Sequence, residues 1–317
     1  MKVALIGCGK AGQALLDELL INPKIKSIQV YDPEFEKIKK SYTLAGKDVF
    51  FNQNPIKLDL GINLVVIATP DHMHTQYLIE AINLGIHCFV EKPLVTNYQE
   101  LKAVKSAFEA KPNVKITSNL ILRAAPLFIE LQNAFRNKSF GSQVFVDGKY
   151  LYGRWEKLEN GWRGNSEYSV ILGGLIHLVD LLCYVTNNYE YESTIEYRRL
   201  TKKMPFDVND FGSMTLSNVN IGLAHLITDF STPIEHRRDL AIYGDEGWIE
   251  IKGESVSSGG KIADLNLEDL RAVAPSKGEL LRLFINDISE NNQNPTLYPT
   301  SAEVMKVLEL CLDHKAL

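Results

Sequence analysis

The apolar positions along this chain follow two rhythms. Through the first 120 residues, short unbroken apolar runs alternate with stretches whose apolar residues recur every three or four positions. Residues 3–6 (Val-Ala-Leu-Ile) form one run and stop at a glycine. Ala11, Leu15, Leu16, Leu19 and Leu20 then mark one face of a helix across residues 11–21. Runs at 28–31, 63–68 and 87–90 predict further strands. Helical spacing predicts a charged helix after Pro33 and helices over 75–84 and 97–109. Strand and helix alternating in this way predict a parallel sheet with right-handed crossovers and helices on both faces.

After about residue 120 the rhythm changes to period two. Alternating runs at 143–150, 193–199, 212–217, 221–228 and 240–243 predict strands, and turn residues at 218–220 and 244–247 predict their connections. Helices are expected near 124–136 and 173–186, loop over 253–278, and two closing helices at 278–289 and 300–314. The expected architecture is an α/β domain with a parallel sheet over 1–120 and an α+β domain with a largely antiparallel sheet over 121–317.

Composition narrows the function classes. Hydrophobic residues are 45% and charged residues 23%, the balance of a globular protein with a sizeable core. A net charge of −5 without a basic block argues against nucleic acid or an anionic membrane surface as partner. The four cysteines are scattered and form no C-x-x-C pair, which fits reduced thiols and a cytoplasmic protein. No apolar stretch reaches the roughly 20 residues of a membrane span, and the N-terminal run is too short for a signal peptide.

The densest chemistry lies at expected strand ends. Gly7-Cys8-Gly9-Lys10-Ala11-Gly12 is a G-x-G-x-x-G string between a strand and a helix. Gly7 allows the turn, Gly9 lets a pyrophosphate approach the backbone, and Gly12 lets helix and strand pack closely. The N–H groups of residues such as Lys10 and Ala11 at the helix start are aimed at phosphate. Asp32, 20 residues after Gly12, can accept both ribose hydroxyls and repels a 2′-phosphate, so NAD is expected before NADP. The competing reading makes Asp32 a helix cap.

Two further strand ends are Ala68-Thr69-Pro70, followed by Asp71-His72-Met73-His74, and Glu91-Lys92-Pro93. Proline keeps Lys92 extended, and the bond before Pro93 is open to the cis form. An ammonium beside a nicotinamide ring would have a lowered pKa, useful for handling a hydroxyl proton. Lys92 read as a solvated surface lysine is the alternative. His72 and His74 have no companion carboxylates or thiols, so loop capping suits them better than a metal, and no metal is expected.

Together with Arg123, Pro126, Gly141, Trp162-Arg163, the 173–180 segment Gly-Gly-Leu-Ile-His-Leu-Val-Asp and Tyr243-Gly244, these strings resemble the Gfo/Idh/MocA oxidoreductases over essentially the whole chain. The resemblance implies hydride transfer between NAD(P) and a secondary hydroxyl of a sugar, cyclitol or polyol. It places Ala68, Thr69, Pro70, His74, Glu91 and Lys92 beside the cofactor, and Lys92 on the substrate hydroxyl. It makes His177 the general acid/base, with Asp180 on the same helix face to orient the imidazole or contact substrate. Arg123, Tyr152, Trp162 and Arg163 are candidate substrate contacts, or else surface and interface residues. The resemblance also implies a homodimer or homotetramer through the open sheet.

One departure stands out. Many members carry an aspartate four residues before this histidine, where this chain has Gly173. That keeps open a catalytically weak dinucleotide-binding regulator or scaffold on the same fold.

Overall fold

The computed structural model describes all residues except 35, 37–46, 55, 56, 60, 160, 165–167, 202–207, 266, 268, 269, 271–274, 291–296 and 313–317. The helix expected after Pro33 lies largely outside the described residues. Two compact units emerge, Met1–Ile121 with Pro275–Leu308, and Leu122–Ala274 with Glu309–Leu317.

In the first unit, strands β1 (Lys2–Ile6), β2 (Ser27–Tyr31), β3 (Asp48–Asn52), β4 (Leu64–Ile67), β5 (His87–Val90) and β6 (Ile116–Ser118) form one parallel sheet in the order β3-β2-β1-β4-β5-β6. Helices α1 (Lys10–Ile21), α2 (His74–Asn83) and α3 (Tyr98–Glu109) make crossovers. β4 is buried at every residue, which explains its unbroken apolar run. The strand order reverses between β1 and β4, and ligands of such sheets sit outside the carboxyl ends at that point.

The expected single break after residue 120 is corrected by the C-terminal part of the chain. Helix α6 (Glu279–Glu290) buries Leu280, Leu281, Phe284 and Ile285 in the first unit, against α1 and β5. The Phe284 ring lies 6.1 Å from that of Phe89 on β5. Burying four such side chains stabilises the arrangement by roughly 6–12 kcal/mol before ordering entropy is charged, ample reason for the segment to return. The carbonyl of Pro299 accepts from the Thr117 hydroxyl at 2.7 Å, and the Ser301 hydroxyl accepts from the Ile116 N–H at 2.9 Å, tying the start of α7 (Ser301–Cys311) to β6.

The second unit is built on strands β7 (Val144–Leu151), β8 (Glu192–Arg198), β9 (Phe211–Asn218), β10 (Gly222–Asp229), β11 (Arg237–Gly244), β12 (Gly247–Lys252) and β13 (Ser255–Gly260). Their order is β13-β12-β11-β7-β10-β9-β8, antiparallel except for the β7–β10 pair. The stretch read as loop over 253–278 therefore contains a strand, β13, which extends the sheet by pairing with β12.

Helices α4 (Pro126–Arg136) and α5 (Ile176–Thr186) cover one face, with α5 buried along its whole length and preceded by a π turn at Ile171–Leu175. The other face leaves Phe145, Leu223, Tyr243 and Trp248 exposed at 38–45% on neighbouring strands. Among the described residues, no helix is long and apolar enough to cross a membrane.

Candidate functional site

Four strand ends of the first unit carry the residues singled out in the sequence. Gly7 follows β1 with φ +86, and a Cβ there would sit 2.7 Å from the Ala68 and Thr69 backbone. A Cβ on Gly12 would overlap the Gly7 carbonyl oxygen, so glycine is required by internal packing at both positions. Gly9 differs: a Cβ there would meet nothing within 4 Å. The protein's own packing does not demand glycine at position 9, whereas a pyrophosphate drawn close to the backbone would. Lys10 is exposed and Ala11 half-buried at the start of α1.

Asp32 stands just beyond β2 and is held from two sides. Its Oδ2 accepts from the Cys8 N–H at 2.7 Å and its Oδ1 from the Glu34 N–H at 2.8 Å. The two-residue reach to Glu34 is the cap anticipated as an alternative, and the bond to Cys8 ties the same carboxylate to the glycine loop. Both roles coexist because a carboxylate has about four acceptor sites. Burial, reinforced by the charges of Asp32 and Asp17, pushes the Cys8 thiol up to about 12, so it stays protonated and inert near neutral pH.

At the β4 end the Thr69 hydroxyl is buried without a hydrogen-bond partner among the described residues. An open cradle at Gly9, a held carboxylate at Asp32 and this orphaned hydroxyl fit a dinucleotide. Pro70 leads into the turn at Asp71–Met73. His74 is held by backbone at the β4 and β5 ends. It is fully buried, with Nδ1 2.7 Å from the Pro93 carbonyl oxygen and Nε2 2.9 Å from that of Thr69. Both carbonyls lie within reach of the ring, whose single N–H in the neutral form donates to one of them, so His74 sits between the β4 and β5 ends. His72 is exposed while His74 is buried, and the two cannot grip one ion.

Beyond β5, the Glu91 carboxylate accepts from the Asn119 amide at 2.9 Å, and the Lys92–Pro93 peptide is cis. Asn119 itself is a site-shaping residue that the sequence reading missed; it follows a strand of only three residues, too short to signal.

In the second unit, His177 lies in the first turn of α5 and is 8% exposed. The Tyr150 ring stacks on it with centroids 5.9 Å apart and planes 19° from parallel. Tyr150 in turn contacts Tyr152 and His236 at 6.2 and 5.3 Å. Tyr152 lies 4.3 Å from Phe230, Tyr168 meets both Phe230 and Trp162, and Arg163 lies 4.1 Å above the Trp162 ring. Four residues named from the sequence (His177, Tyr152, Trp162 and Arg163) thus join one aromatic cluster. Tyr150, Tyr168, Phe230 and His236 were missed, although the alternation over 143–150 already placed Tyr150 in a strand. Burial pushes the Tyr150 hydroxyl up to about 12, so it remains a neutral partner across working pH.

Arg123 and Asp180 form an ion pair that the sequence reading did not anticipate. They are 1% and 0% exposed, with Arg123 Nε 3.0 Å from both Asp180 oxygens and its Nη2 2.6 Å from Oδ1. The guanidinium also donates to the Tyr189 hydroxyl at 3.1 Å and lies over the Tyr184 ring. This is a desolvated ion pair between the segment before α4 and the middle of α5.

Gly173 is equally specific. A side chain there would overlap the Tyr168 hydroxyl, which already fills that space. The aspartate expected by resemblance is sterically excluded while Tyr168 holds its place.

Known proteins share this fold. The model of the oxidoreductase family with an NAD-binding Rossmann fold, Gfo/Idh/MocA, matches residues 1–119, and that of the Gfo/Idh/MocA C-terminal domain matches 128–250. An oxidoreductase of Formosa agariphila is 30% identical over 138 residues, covering 41% of this chain and 42% of its own length. Inositol 2-dehydrogenase 1 of Saccharopolyspora erythraea is 28% identical over 104 residues, 32% of this chain and 31% of its own. The matched segments span less than half the length of these relatives. The crystal structure of myo-inositol dehydrogenase from Lactobacillus casei with NAD(H) and myo-inositol has a TM-score of 0.73 at 16% identity. That match covers 98% of this chain and 92% of that one, and at such identity it shows the fold.

Proposed function

We propose, for a chain that belongs to the Gfo/Idh/MocA family of oxidoreductases, that it moves hydride between NAD(H) and a secondary hydroxyl or ketone of a sugar, cyclitol or related polyol. The observation that carries the reading is the set of strand ends at the β1–β4 reversal, where the glycine loop, Asp32, Thr69 and Lys92 converge. NAD supplies the hydride acceptor when bound. The N–H groups of the glycine loop and of the α1 start hold its phosphates, and Asp32 accepts from its ribose hydroxyls. The Lys92 ammonium donates to the oxygen of the reacting hydroxyl, favouring its deprotonation. His177 Nε2 takes the proton, the imidazole being fixed in orientation by the Tyr150 stack. In the reverse direction the same imidazole returns that proton.

The test is NAD+ reduction against a panel of inositols, hexoses, uronic acids and sugar nucleotides. Reduction with at least one member is expected. Binding of NADH with no reduction by any of them would favour the second reading, a dinucleotide-binding regulator. That reading draws its support from Gly173, which leaves the histidine without the usual carboxylate.

Asp32 sets the cofactor preference, because a carboxylate that accepts from ribose hydroxyls repels a 2′-phosphate. Asp32→Ala is expected to weaken NADH about tenfold, the scale of a lost charged hydrogen bond, and to narrow the gap to NADPH. Fluorescence titration with both cofactors reads this, and an unchanged NADH/NADPH ratio refutes it.

The exposed face around Phe145, Tyr243 and Trp248 is proposed as the seam of a homodimer. Light scattering should show mass falling from dimer to monomer in Phe145→Arg/Trp248→Arg. A wild-type chain already monomeric at high concentration overturns the proposal.

A further inference from the structure

Resting on that reading, the geometry points to a substrate that carries a negative charge, a sugar carboxylate or phosphate, held by Arg154, Lys157, Arg163 and Arg238 around the Tyr150–His177 stack. The four cations come from three separate parts of the second unit and converge on one aromatic surface. Arg154 and Lys157 place their charges 5.7 and 5.5 Å from the Tyr152 ring centre. Arg163 lies over Trp162. Arg238 on β11 sits directly opposite Tyr150 in the sheet register. Tyr150 and Tyr152 stack on each other, and Tyr150 stacks on the histidine proposed as the base.

The usual fate of surface cations is pairing with carboxylates, as Arg237 does with Asp239 and Arg198 with Glu196. Among the described residues, none of these four has such a partner. One carboxylate of this part of the sheet, Asp229 at the end of β10, is turned to its own loop. It accepts from the N–H and hydroxyl groups of Ser231 and Thr232, which hold it below the usual carboxylate range. The collected positive charge also acts on its neighbours. The His236 imidazole is pushed down by burial first and by Arg238, Arg154 and Lys157 after it, against a raising contact from the Leu151 carbonyl.

In a chain of net charge −5, four cations on one aromatic surface, without a carboxylate partner among the described residues, repel one another. A bound anion relieves that repulsion, with the rings offering their faces to the sugar C–H groups and the guanidinium forks matching carboxylate or phosphate oxygens. A neutral polyol would leave all four uncompensated.

Calorimetric titration of the full-length protein, with and without NADH, tests this using glucuronate, glucose 6-phosphate, glucose and myo-inositol as probes. At least one anionic probe should bind tenfold or more tighter than glucose, and added salt should shrink that advantage. Glucuronate and glucose 6-phosphate, run separately, distinguish carboxylate from phosphate. Arg154→Gln, on an exposed side chain, and Arg238→Gln should each remove several-fold of the anionic affinity while leaving glucose and NADH unchanged. Equal binding of charged and neutral probes, or variants that lose both alike, overturns the inference. Failure of NADH to bind would sink the dehydrogenase reading instead, and the sugar titrations without cofactor separate the two failures.

Discussion

Asp180→Asn or Arg123→Leu is expected to remove about 3–5 kcal/mol of unfolding free energy, the scale for stranding one member of a buried ion pair. The pair is almost wholly desolvated, and each oxygen of Asp180 lies within 3.0 Å of the guanidinium. Removing either partner leaves an uncompensated charge at a position 1% exposed or less. The double variant Arg123→Leu/Asp180→Leu should recover most of the loss, since two apolar groups leave no charge behind. Urea denaturation of the two singles and the double reads this directly. A single-variant loss under about 1 kcal/mol, typical of an exposed pair, would refute the burial assigned to it. The cycle also separates two roles for Asp180. An imidazole-orienting carboxylate would lose turnover at unchanged stability, and the opposite pattern is expected here.

The second large effect belongs to chemistry. Lys92→Ala and His177→Ala are each expected to lower kcat by about 10²–10⁴, the usual contribution of a positioned acid/base group. NADH affinity should stay within a few-fold in His177→Ala, because that residue belongs to the second unit and the cofactor is assigned to the first. His177→Gln, which keeps most of the volume next to Tyr150 and removes the titrating nitrogen, guards against a collapse of the stack. Wild-type turnover in both alanine variants would remove these residues from the mechanism.

The nucleotide-binding half was largely legible because its signals are local. Gly7, Gly9 and Gly12 lie within six residues of one another, and the apolar runs of β1, β4 and β5 are buried on both faces. What escaped was set by partners far away in the chain. β3 has no fully buried residue, β6 has three residues, and the Ser-Gly run of β13 becomes a strand only because β12 offers it a ladder. The Arg123–Asp180 pair joins residues 57 positions apart, and nothing near either one announces the other.

His74 illustrates the same limit on a small scale. Its place in the motif was visible, but whether its nitrogens face ligand or backbone depends on the carbonyls of Thr69 and Pro93. Gly173 was read as a missing carboxylate. Its physical meaning, a space filled by the Tyr168 hydroxyl, required coordinates.

The most direct measurement follows one atom. A substrate identified in the NAD+ screen is deuterated at its carbinol carbon, and the reduced nicotinamide is weighed by mass spectrometry. Hydride transfer predicts one deuterium delivered to each NADH formed. An unlabelled NADH, or a labelled polyol left intact while NADH accumulates, would contradict it.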